Sequence, residues 1–144
     1  MRIKKAVAGA LAAVAVALPG SVVAAAPAQA ATTCSGSYVT SMRTYNPKNG
    51  NVIAITTAYR GGGRICVVSV KQNGYYGKLT KMALFMYKNN GNEKSDIGNF
   101  SYQAGPISMT DSGCIHFELD LWNGPVPGGG VNIAQDYFYP GINC

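Results

Sequence analysis

Hydrophobic and polar positions alternate most cleanly in the segment 114–122. Ile115, Phe117, Leu119 and Leu121 fall on one face, and His116, Glu118 and Asp120 on the other. Successive side chains of an extended chain point to opposite sides of a sheet, so this pattern predicts a strand with one face in a core. Residues 52–59 and 65–71 are short and rich in β-branched side chains, and Gly61-Gly62-Gly63 between them predicts a hairpin turn. Residues 79–87 are apolar on both faces. That run could be helical, but it is brief, holds two aromatics and lies between Gly77 and Asn89-Asn90-Gly91, which favours a central strand. Residues 38–45 and 101–109 are weaker strand candidates, the second broken at Gly105-Pro106.

Asn-Gly pairs at Asn49-Gly50, Asn73-Gly74, Asn90-Gly91 and Asn123-Gly124 suit turns that need a positive φ. Short strands separated by repeated turns, with no capped amphipathic helix, predict an all-β fold: a small disulfide-stapled antiparallel sandwich or barrel. Residues 123–139, rich in Gly, Pro and aromatics, read as a long irregular segment.

The N-terminus changes the picture of compartment and charge. Met1-Arg2-Ile3-Lys4-Lys5 leads into an apolar stretch, 6–18, that ends at Pro19-Gly20, and Ala28-Gln29-Ala30 follows with the small-x-small pattern of a cleavage site. Residues 1–30 are therefore expected to be a removable signal peptide, and 31–144 a single secreted domain. A retained anchor is disfavoured, because the stretch is Ala-rich and no basic stop-transfer cluster follows. The residues before Cys34, Ala31-Thr32-Thr33, do not suit lipid attachment. Cleavage removes three of the twelve basic residues and none of the six acidic ones, so the net charge falls from +6 to 9 − 6 = +3. The remaining basic residues form no run, which reads as a solvated surface rather than a nucleic-acid site.

All four cysteines, Cys34, Cys66, Cys114 and Cys144, lie beyond the signal peptide, and an even count in a small exported chain predicts two disulfides. No Cys-x-x-Cys pair is present, which argues against a zinc knuckle or a thioredoxin-like site. Three pairings are possible. In a meander of strands 38–45, 52–59 and 65–71, the first and third run the same way, which favours Cys34 with Cys66 and leaves Cys114 with Cys144.

Candidate chemistry is sparse. His116, Glu118 and Asp120 share a strand face and could pair an acid with a base, but one histidine on a polar strand face fits a solvated surface better. No cofactor, no metal site and no catalytic set is expected. The aromatics Tyr75-Tyr76 and Tyr137-Phe138-Tyr139 are the expected contact patches, since aromatic side chains combine large apolar area with a polar tip.

Cys34-Ser35-Gly36-Ser37-Tyr38-Val39, the segment 65–71, Tyr102-Gln103-Ala104-Gly105-Pro106-Ile107 leading to Ser112-Gly113-Cys114, and a terminal cysteine occur in an order that resembles the spore-associated protein A family of small secreted actinomycete proteins. The segment around 125–130 and the apolar run 79–88 depart from that pattern. The resemblance implies export and association with spores or the cell surface, and it carries over no catalytic residue. The expectation is a non-enzymatic secreted protein acting by non-covalent contacts with spore or cell-surface components, without nucleic acid and without a membrane segment after processing. The alternatives are a secreted inhibitor of a protease or other hydrolase that presents the 123–130 loop, and a small hydrolase using His116 with Glu118 or Asp120.

Overall fold

In the computed structural model, which describes residues 33–144, the chain runs through β1 (Ser37–Tyr45), β2 (Val52–Gly61), β3 (Arg64–Lys71), β4 (Thr80–Lys88), β5 (Glu93–Phe100), β6 (Gln103–Thr110), β7 (Ile115–Trp122) and β8 (Asn132–Tyr137). The expected signal peptide, its cleavage site and Ala31 lie outside the described residues. The strands form two antiparallel sheets, ordered β1-β2-β3-β6 and β5-β4-β7-β8, so the sandwich is the form adopted. A single 3₁₀ turn, Asn73–Tyr75, lies between β3 and β4, and among the described residues no helix is long and apolar enough to cross a membrane.

The alternation in β7 sets the layer boundary. Ile115, Phe117, Leu119 and Leu121 have no exposed surface, while His116, Glu118, Asp120 and Trp122 face outward. Strand β4 behaves as the central strand expected of a run apolar on both faces. Met82, Leu84 and Met86 enter the core, and Phe85 and Tyr87 lie half-buried on the outer side. The other layer contributes Ile53, Ala54, Ala58, Ile65 and Val67. Gly62 and Gly63, at φ 56° and 68°, close the β2–β3 hairpin, where a side chain would be strained.

Three expectations are corrected. The segment 123–139 is not irregular throughout: β8 pairs with β7, and Phe138 packs inward on Phe117 with ring centroids 4.5 Å apart. Strand β5 escaped the pattern reading because an edge strand keeps few apolar positions, here Ile97 and Phe100. Gly105-Pro106 does not break β6 but sits in it at a register shift against β3. An edge position tolerates proline's missing N–H, and any Cβ at Gly105 would meet the Val67 carbonyl. The Asn-Gly turns also divide: Gly50 and Gly91 take positive φ, at Asn73-Gly74 it is the asparagine that does so, and neither residue of Asn123-Gly124 does.

The basic residues are not all solvated. Lys71 has no exposed surface, and its ammonium donates to the carbonyls of Lys78 (2.7 Å) and Phe100 (2.5 Å). It ties the β3–β4 connection to the end of β5. Burial lowers its pKa to about 8. Both disulfides are those the meander favoured, Cys34–Cys66 and Cys114–Cys144, with Cα separations of 5.6 and 4.6 Å. The first ties the segment before β1 to β3. The second anchors the C-terminus at the start of β7, where Ile115 and Ile142 exchange backbone hydrogen bonds.

Candidate functional site

The outer face of the second sheet collects what the sequence had left on separate segments. Register places Phe85 opposite Glu118, Ala83 opposite Asp120 and Tyr87 opposite His116, and on the far side of β7 Tyr137 lies opposite Glu118 and Gln135 opposite Asp120. Carboxyl groups therefore occupy the middle strand with aromatic rings around them. At one end the Lys81 ammonium lies over the Trp122 ring, 4.3 Å from its centroid, and at the other Tyr87 stacks on His116 at 5.5 Å.

A hydrogen-bond network fixes the middle. Gln135 Nε2 donates to Glu118 Oε1 (2.7 Å) and to the Tyr137 hydroxyl (2.8 Å). Burial raises the Asp120 pKa to about 6, and the neighbouring Glu118 charge adds to the rise, with Asp120 donating to Glu118 when protonated. The outward hydroxyls respond in the same direction. Burial, then Glu118, raises the pKa of Tyr87, and a hydrogen bond to Glu118 leads the rise for Tyr137. One Asp120 oxygen, Oδ1, has no hydrogen-bond partner although it is buried. A face that perturbs three titratable groups around one carboxylate is organised beyond the needs of a wet sheet surface.

An NMR titration of the side-chain carboxyl carbons checks this. Asp120 is expected to titrate near pH 6, and Glu118→Gln to bring it part of the way back, since burial remains. Because the folded pKa lies above the unfolded one, Asp120 contributes stability that is fully present below about pH 4 and is lost as the pH rises through about 6.

The expected contact residues separate. Tyr137 is on this face and 55% exposed, and Tyr139, beyond the strand, is 84% exposed. Phe138 and Tyr75 pack against the core and are only partly exposed. Tyr76 is exposed at another place, edge-to-face with Tyr102 at 5.0 Å. Phe85, Tyr87, Trp122 and Gln135 were missed as members of one site. The two-sided apolar pattern of β4 was the available signal, but cross-strand neighbours require the register.

The hydrogen bonds of the His116 ring run to residues other than Glu118 and Asp120. Its Nε2 meets Asn89 Oδ1 at 3.0 Å and Cys114 Sγ at 3.1 Å. Cys114, His116 and Cys144 bring potential ligand atoms within 4.8 Å of one another, yet both sulfurs are joined in a disulfide and offer no thiolate. No protein-family model, curated protein or solved structure matches the chain.

Proposed function

We propose that the mature chain is a non-catalytic secreted protein that attaches to the spore or cell surface through the outer face of its second sheet. The observation that supports this most is the ring of Phe85, Tyr87, Trp122 and Tyr137 around the Glu118–Asp120–Gln135 network. Half-exposed aromatic faces provide stacking area for sugar rings, and the carboxyl and amide groups provide hydrogen bonds of fixed direction to hydroxyls, so a hydroxyl-rich surface polymer suits the chemistry. The resemblance to spore-associated proteins supplies the place of action.

Fractionation of sporulating cells tests the reading. The protein is expected on the cells, retained through moderate salt because contact is aromatic, and released by detergent. Recovery only from the medium, or complete release by salt, would remove surface attachment from the account. The diffusible inhibitor would then lead, and one observation favours it: Asn99 grips the 123–131 loop, donating to the Val126 carbonyl and accepting from its N–H, both at 3.0 Å.

A further inference from the structure

We propose that the cleft between the end of β6 and the β4–β5 hairpin is an oxyanion site of phosphate type, separate from the outer-face surface. The cleft, about 300 Å³, is lined by Arg64, Lys88, Asn92, Glu93, Lys94, Met109 and Thr110, which gives three cations against one acid. Lys88 is the unusual member. It continues the inward face of β4, is only 8% exposed, and donates to the hydroxyls of Thr110 (2.9 Å) and Ser112 (3.0 Å).

A buried ammonium normally has an acidic partner, because hydroxyls replace hydration without supplying opposite charge. Among the described residues the only ion pair is Arg60–Asp111. The carboxylate nearest in sequence to these hydroxyls, Asp111, is held by Arg60 (2.6 Å) and Asn143 (2.7 Å), and Lys88 is the smallest influence on its lowered pKa. Glu93 lines the cleft without reaching ion-pair distance of any of the three cations.

Arg64 spends Nε and one terminal nitrogen on the Ser108 hydroxyl and carbonyl, at 3.1 and 2.9 Å, which fixes the guanidinium plane and leaves its other terminal nitrogen free to donate. A rigid guanidinium, a buried ammonium with a donor to spare and an exposed Lys94 suit a compact oxyanion of charge near −2. A phosphate monoester and a phosphodiester within a surface polymer share this chemistry.

Titration of the protein with inorganic phosphate, followed by backbone amide NMR shifts, tests the site, with chloride at matched ionic strength as the reference. Shifts are expected at Arg64, Asn92, Lys94 and Thr110. Lys88→Met should weaken binding by about tenfold or more, and Arg64→Gln by several-fold. Arg64→Gln changes an exposed side chain and so keeps the test valid if Lys88→Met fails to fold. Lys48→Gln, outside the cleft, should change nothing. Glycerol phosphate and a poly(glycerol phosphate) separate the two sources: equal affinity per phosphate identifies a monoester-type site, and a gain for the polymer identifies a phosphodiester one. Shifts no different from those in chloride, or phosphate shifts unaltered in Arg64→Gln, would overturn the proposal. Neither result bears on attachment through the outer face.

Discussion

Phe117→Ala is expected to destabilise the domain by about 3–5 kcal/mol, enough to unfold much of it at growth temperature. Phe117 has no exposed surface, lies at the middle of β7 and stacks on Phe138 with an interplanar angle of 2°. Truncation opens a cavity between the sheets that neighbouring strands, fixed by ladder hydrogen bonds, can fill only partly. The same experiment separates the three C-terminal aromatics. Phe138→Ala should cost about 1–3 kcal/mol as the half-buried partner in the stack, and Tyr139→Ala less than about 0.5 kcal/mol because its ring is in solvent. Urea unfolding of the three variants measures all of these. Equal losses for Phe138→Ala and Tyr139→Ala would contradict the inward placement of Phe138.

Lys71→Ala is the second large loss, about 2–4 kcal/mol, since it leaves a cavity and strips the partner from two carbonyls, those of Lys78 and Phe100. Lys71→Met keeps most of the volume and isolates the charge. The folded pKa of about 8 lies below the unfolded value of 10.5, so between those two pH values the unfolded chain binds more protons than the folded one. Stability should therefore rise across pH 8 to 10.5 in the wild type relative to Lys71→Met. The residue is buried, but its ammonium lies in a part-buried shell of backbone carbonyls, which screens the effect to about 1–2 kcal/mol. A difference between the two proteins that stays flat with pH would show that Lys71 is solvated as an ordinary lysine.

The legible parts of the fold were those where a local pattern and the tertiary environment agree. In β7 the period-two alternation is also the burial pattern, and in the β2–β3 hairpin the glycine triplet marks a turn where Gly62 and Gly63 take positive φ. The Cys34–Cys66 bridge followed from strand direction, and Cys114–Cys144 was the pairing that remained. Strand β8 was hidden because it begins just after a Pro- and Gly-rich loop and fully buries none of its residues. Lys71 and Lys88 were hidden because charge argues for solvent, and only the three-dimensional surroundings show a lysine stem crossing a core with its ammonium on carbonyls or hydroxyls. His116, Glu118 and Asp120 were visible as one strand face. Their companions Phe85, Tyr87, Gln135 and Tyr137 come from strands on either side, through a register that spacing along the chain does not encode.

Attachment through one face of the sandwich is the central claim, and co-sedimentation of purified mature protein with intact spores tests it most directly. Trp122→Ala with Tyr137→Ser removes two rings from the outer face of the second sheet. Tyr38→Ser with Tyr45→Ser removes two exposed rings from the first sheet, at 63% and 49% exposure, and serves as the matched control. With both pairs shown to fold by circular dichroism, the Trp122/Tyr137 variant is expected to lose about tenfold or more in binding, since each anchor is worth on the order of 1 kcal/mol or more, and the Tyr38/Tyr45 variant to bind as wild type. Equal binding by both variants, or a larger loss in the Tyr38/Tyr45 variant, would contradict the account.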